Sequence, residues 1–225
     1  MEQMCFVMHF GRMVKNRNRS EMQKIEKKII NFIEKNIGWI CIGAVTLIRL
    51  MICFYVRRYE SGDFNADLLP WFVEIKADGG IRALEHQVGN YNIPYQILIA
   101  LLTYLPFKEL YLYKGLSIIF DYLIAAGCGI LVCTLKKSRS VELFAGVYTG
   151  VLFIPTTILD SAVWAQCDSI YCFFIVMSLW CLYREKWSAS FLLLGAAFAF
   201  KLQTIFIFPF LIAYYLLRKK FTVLY

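Results

Sequence analysis

Four short polar stretches stand out in this sequence by the chemistry their side chains could perform. Ser61-Gly62-Asp63 carries a carboxylate. Asn90-Tyr91-Asn92 with Tyr95 offers two amides and two phenols, Trp164-x-Gln166-x-Asp168 an indole, an amide and an acid, and Lys201-x-Gln203 a cation and a further amide. A carboxylate can take the proton of a hydroxyl nucleophile. A lysine can neutralise charge on a phosphoryl oxygen. Amides both donate to and accept from hydroxyls, and an aromatic face can stack on a pyranose ring. A set of this composition suits a phosphorylated sugar. Arg49 and Asp121 add a cation and an acid inside apolar runs, where charges are rare and are either paired or functional.

Each residue also has a plainer role open to it. Asp63 follows Arg57 and Arg58 and could be an ordinary loop carboxylate beside them. Arg49 and Asp121 could form a structural pair, or Asp121 could pair with Lys114, two turns earlier on the same helix face. Trp164 suits an interfacial aromatic belt, and Lys201 could snorkel to headgroups.

Other chemistries are disfavoured by what is missing. The two histidines, His9 and His86, stand far apart, which argues against a histidine metal cluster or a Ser-His-Asp triad. Cys167 and Cys172 lack the partners a zinc site needs. Most of the eight cysteines lie in apolar runs, where cysteine packs as a small hydrophobe. No metal ligand set is expected.

The elements that must position these residues are apolar helices. Hydrophobic residues make up 60% of the 225 and charged residues 18%, too few charges to coat a water-soluble body of this size. The net charge of +8 sits in short clusters beside apolar runs, as topology signals and contacts to anionic lipid do; no nucleic-acid motif accompanies it. The expected fold is all-α, a polytopic transmembrane helical bundle.

Residues 1–37 read as a basic segment on the cytoplasmic surface. There Ser20 and Gln23 form a capping box, and Met22, Ile25, Ile29, Ile33 and Ile37 recur at helical spacing as in an interfacial helix. Residues 38–225 read as the transmembrane module, with spans over 38–56, 115–135, 142–158, 170–183, 188–200 and 202–217. Residues 91–107, short and carrying Pro94 and Pro106, read as a re-entrant or juxtamembrane helix. Pro70 ahead of Gly79-Gly80 predicts a short helix over 70–78 in the first loop. The run 188–217 is too long for one crossing, and a charge at its centre costs at least about 2.5 kcal/mol, so the chain is expected to turn at Lys201. This arrangement gathers the polar stretches at the extracytoplasmic face, with a cytoplasmic N-terminus.

At these positions the chain resembles bacterial polytopic proteins related to the second mannosyltransferase of GPI-anchor assembly, within the GT-C glycosyltransferase superfamily. The resemblance covers roughly residues 49–209. It rests on Ser61-Gly62-Asp63, Pro70-Trp71, Asn90-Tyr91-Asn92 with Pro94-Tyr95, Pro155-Thr156, Ser161-Ala162-x-Trp164-x-Gln166-x-Asp168-Ser169, and Phe200-Lys201-x-Gln203. The resemblance implies a GT-C-like N-terminal module that takes a hexose, mannose by preference, from a polyprenyl-phosphate donor with inversion. Asp63 matches the position of the catalytic carboxylate and Lys201 a position near the lipid phosphate. Trp164, Gln166 and Asp168 match the loop that shapes the sugar pocket. Ile154, Asp160 and Ala165 depart from the family pattern, which has Asn, Asn and Gly there. GT-C enzymes carry further spans after this module, so the chain is expected to be truncated at its C-terminus.

The expected activity is therefore hexosyl transfer at the extracytoplasmic face of the plasma membrane, to an acceptor the residues do not specify. The partners are membrane lipids and the lipid-linked sugar. Two other readings use the same residues: a non-enzymatic carrier or flippase for a lipid-linked sugar, and an inactive fragment of a transferase.

Overall fold

A computed structural model describes the backbone of residues 2–218 and the side chains of residues 23–217. Ser20 of the capping pair and the Met22 position therefore lie outside the described side chains. Among the described residues every regular element is helical.

Helix α1, Glu2–Val56, runs without interruption through both Ser20 and Gly38, where a helix start and a segment boundary were expected. Nothing between residues 23 and 37 breaks a helix: the stretch is Glu, Lys, Ile and other tolerant residues, without proline or glycine. Its Gln23–Val56 portion is 34 residues, about 51 Å at the helical rise, against a hydrocarbon core of about 30 Å. Residues 23–35 are exposed, and packing begins at Gly38.

Helix α4, Glu109–Leu135, is the centre of the bundle and touches both α5, Val141–Leu152, and α7, Asp168–Tyr183. Small residues allow the close approach. A Cβ on Gly129 would stand 2.6 Å from the Phe144 ring of α5, and Gly127 faces Val176 and Met177 of α7. Ala125 is fully buried beside Tyr148 and Leu152.

Helix α5 ends at Leu152, short of the expected limit at residue 158. Pro155 cannot donate to the ladder, and it holds Ile154 extended, ψ 124°. The three-residue turn α6, Pro155–Thr157, continues into a wide π-type turn over Ile158–Val163. Together these leave α5 at 61°.

Helix α7 and helix α8, Trp187–Phe200, form a hairpin in which Ser178 Oγ donates to the Ser190 carbonyl at 2.8 Å. The chain then turns at Lys201. Helix α9, Phe208–Arg218, lies back along α8, with Phe198 stacked on Phe208 and Phe191 on Tyr215.

Between α1 and α4 the long first loop is a packed cap. It holds α2, Leu69–Ala77, a turn over Gly80–Glu85, and α3, Ile93–Leu102. Phe72, Ile75, Tyr95, Ile99 and Tyr113 form its core, which Ala165, Cys167 and Ile170 complete from the later loop and α7. Helix α3 is 10 residues, about 15 Å, half the thickness of the hydrocarbon core.

Among the described residues two helices, Gln23–Val56 and Glu109–Leu135, are long and apolar enough to cross a membrane. The bent pair Val141–Leu152 and Pro155–Val163 makes a third if it counts as one broken span. Helices over Asp168–Tyr183, Trp187–Phe200 and Leu202–Leu217, three of the six expected spans, are apolar but shorter, at 10 to 17 residues.

Candidate functional site

The site lies where the cap meets the N-terminal ends of α4 and α7 and the C-terminal end of α8. Asp63 starts the first loop's helical turn and is exposed. Its Oδ2 accepts from Gln166 Nε2 at 3.0 Å. The other end of that amide, Oε1, accepts from Tyr91 OH at 3.1 Å. Lys201 Nζ lies 5.5 Å from the Tyr91 ring centroid and 6.0 Å from that of Tyr171, within cation–π range. The same ammonium is ion-paired with Asp168 Oδ1. Four distant stretches of chain are thus linked by direct contacts.

Each member is held from behind. Gln96, buried in α3, donates to the Tyr91 carbonyl at 2.9 Å and accepts from Val88 N at 3.2 Å. Trp71 and Tyr95 pack edge-on against the Tyr91 ring at 5.3 and 5.2 Å. Ser117 of α4 donates to the Gln166 carbonyl at 2.5 Å, and Ser61 to the Trp164 carbonyl at 3.1 Å. Burial pushes the Tyr91 phenol up to about 12, against the smaller opposite pull of Lys201, so it stays a neutral donor to Gln166. Burial likewise pushes the Cys167 thiol up to about 12, which leaves no reactive thiolate.

Ala165 turns the loop at φ +62°, in the left-handed region that favours glycine.

Two cavities adjoin the Lys201–Asp168 pair. One of about 410 Å³ is lined by Asp121, Thr156, Asp160, Trp164, Asp168 and Ser169 among others. The other, about 250 Å³, is lined by Asn90, Tyr91, Asn92, Lys201 and Gln203 together with Phe200 and Leu202. Lys201 belongs to one wall and Asp168 to the other, so the ion pair stands between them.

Beneath the larger cavity lies a buried charge network. Arg49 and Asp121 are both fully buried, with Nη2 2.7 Å from Oδ2. The Arg49 Nη2 also donates to the Thr157 carbonyl at 3.1 Å and to Ser161 Oγ at 3.2 Å. Ser161 Oγ is in hydrogen-bond contact with Asp121 Oδ2, and Ser169 donates to Oδ1 at 2.6 Å. Nε and Nη1 of Arg49 have no partner. Lys114 does not pair with Asp121; it donates to the carbonyls of Val56 and Tyr59 at 3.0 and 2.7 Å, capping the end of α1.

Asp63, Tyr91, Gln166, Asp168 and Lys201 are therefore brought together by direct contact. Asn90, Asn92, Gln203, Trp164 and Asp121 line the adjoining cavities. Tyr95 is buried at 1% exposure between Tyr91 and Tyr113 and supports the site, while Arg49 serves Asp121. The sequence reading named Thr156, Ser161 and Ser169 only as motif positions and Asp160 only as a departure from the family pattern, without a role for any of them, and it missed Ser117 and Gln96. Isolated Ser and Gln residues in apolar runs carry no periodic signal.

Within the described residues one further group has metal-ligand chemistry, Glu74, Asp78 and His86, all exposed on the outer face of α2 and the following turn. It lies outside both cavities. No family model, curated protein or solved structure matches this chain.

Proposed function

We propose that this chain is a polytopic membrane protein of the inverting GT-C type that moves a hexose, mannose by preference, from a polyprenyl-phosphate donor to a hydroxyl acceptor at the extracytoplasmic face. The observation that carries the reading is the continuous contact path from Asp63 through Gln166 and Tyr91 to Lys201 and Asp168. A base, an amide, an aromatic face and a cation within one contact path are the groups such a transfer needs.

In this reading the Asp63 carboxylate accepts the proton of the acceptor hydroxyl as its oxygen attacks C1 of the hexose. The C1–O bond to phosphate breaks, and its electron pair leaves on polyprenyl phosphate. Lys201 offsets the charge that collects there, sharing its three donors between the phosphate and Asp168. Tyr91 and Trp164 offer ring faces to the sugar, and Asn90, Asn92 and Gln203 offer amides to its hydroxyls. The donor's polyprenyl chain lies against the apolar surfaces of α3 and α9, where Ile97, Leu101, Phe210 and Ile212 are exposed.

The test is transfer from radiolabelled polyprenyl-phosphate mannose in proteoliposomes holding the full chain. Asp63→Asn keeps size and insertion but removes the base, and transfer is expected to fall by roughly 100-fold or more. Unchanged transfer would remove Asp63 from the mechanism. Movement of the lipid-linked sugar between leaflets without transfer would favour the carrier reading instead.

A further inference from the structure

At the end of the bundle opposite the Asp63–Gln166 cluster lies an open cavity of about 570 Å³. It is enclosed by the α4–α5 turn, the start of the α7–α8 turn and α1 at Trp39. Gly38 sets the spacing: a Cβ there would stand 2.8 Å from Val141 Cγ1 and 3.0 Å from its backbone, so α1 reaches the start of α5 and presents Trp39 at the rim.

The walls divide by chemistry. Trp39, Ile130 and Phe144 form an apolar side, and Trp39 and Ile130 are 64% and 41% exposed, continuous with the outward faces of α1 and α4. Lys137, Arg139 and Arg184 form the other side, and no carboxylate lines the cavity. Among the described residues none of these three cations is ion-paired. The Arg184 guanidinium stacks over Trp180 at 5.4 Å from its centroid. The nearby acid Glu142 contacts the Ser140 hydroxyl at 2.6 Å, and Glu185 follows Arg184 in the chain. Lys137 holds its place at φ +50°, in the left-handed region at the end of α4 where glycine is the easier residue.

We propose that this cavity binds the headgroup of an anionic phospholipid, with the phosphate among Lys137, Arg139 and Arg184 and the acyl chains along Ile130, Phe144 and Trp39. Three exposed cations around one space, with no carboxylate among them, make it attractive to an anion. The apolar wall running out onto exposed hydrophobic helix faces selects one that carries acyl chains, because a soluble phosphate would leave that wall uncovered. Basic pockets between membrane helices take acidic lipid in this way, and an indole at the rim sits at headgroup depth. The site is independent of the transferase reading.

The experiment uses the full chain in nanodiscs of phosphatidylcholine with phosphatidylglycerol, released into detergent and read by native mass spectrometry for retained lipid. The wild type is expected to retain phosphatidylglycerol over phosphatidylcholine. In the triple variant Lys137→Gln, Arg139→Gln, Arg184→Gln that preference is expected to fall by roughly fivefold for each charge removed. Raising salt on the wild type is a second readout that needs no variant: phosphatidylglycerol retention should fall while phosphatidylcholine retention holds. Equal retention of both lipids by the wild type, unaltered preference in the triple variant, or salt-independent retention each overturns the proposal. Displacement of the lipid by inorganic phosphate at an ionic strength where sodium chloride leaves it bound would assign the cradle to a soluble anion and also overturn it. Asp63→Asn is expected to leave the lipid preference unchanged, so the two readings fail separately.

Discussion

Gln166 Nε2 donates to Asp63 Oδ2 at 3.0 Å, across 103 positions of chain. Through its other end Gln166 accepts from Tyr91, so one amide fixes the direction of the carboxylate and the ring beside it. Exchanging the two ends of the amide would set its oxygen against the carboxylate and lose the bond to Asp63. Asp63, although exposed, is therefore aimed.

Gln166→Leu removes that aim while leaving the carboxylate in place. If Asp63 is the base, transfer is expected to fall between about tenfold and 100-fold, the range that small misplacements of reacting groups produce. Kinetics in proteoliposomes check this, the loss falling chiefly on kcat. A drop confined to KM would make Gln166 a binding residue alone.

Breaking the buried Arg49–Asp121 pair leaves an uncompensated charge. Asp121→Asn or Arg49→Met is expected to destabilise the protein by about 3–5 kcal/mol, read as a lowered thermal transition in detergent. The double variant Arg49→Met, Asp121→Leu should recover much of that loss, because neither charge then remains buried. Ser161→Ala and Ser169→Ala should each cost about 1–3 kcal/mol by removing a partner from a buried carboxylate.

Ala165 occupies a left-handed backbone position at 0% exposure. Ala165→Gly relieves roughly 1–2 kcal/mol of backbone strain and loses one buried methyl worth about 0.8 kcal/mol, so stability should change by less than about 1 kcal/mol. Ala165→Val places a β-branched side chain at positive φ in a packed core, and a large loss of folded protein is expected. Comparing the three chains by size-exclusion chromatography and thermal melting checks the prediction.

Gly129 faces the Phe144 ring with no room for a side chain. Gly129→Ala is expected to cost about 1–3 kcal/mol by forcing α4 and α5 apart. Gly146 and Gly150, with open space where a Cβ would go, should accept alanine at no cost. A melting series over the three variants separates packing from composition.

Topology is open to direct labelling. With native cysteines replaced, Ser138→Cys is expected to resist an impermeant thiol reagent applied from outside, and Gln166→Cys to react. The reverse pattern would place the Asp63–Gln166 cluster on the cytoplasmic side.

The sequence by itself determined that apolar helices would dominate, because residues such as those of Gly38–Val56 and the α4 run leave no other environment for their side chains. It also marked the turn at Lys201 and the short helix after Pro70, where a charge and a proline each impose a local requirement. Tertiary structure alone decided which charge meets which. Lys114 and Arg49 were equal candidates for Asp121 in sequence. The close crossing of α1, α4 and the Ile158–Val163 turn gave Asp121 to Arg49, and the end of α1 gave Lys114 the carbonyls of Val56 and Tyr59. The contact of Asp63 with Gln166, and of Lys201 with Tyr91 and Asp168, likewise depends on the cap folding over three helix ends. Hydropathy and spacing act over a few turns, whereas these contacts are set by the packing of segments from 33 to 103 or more residues apart.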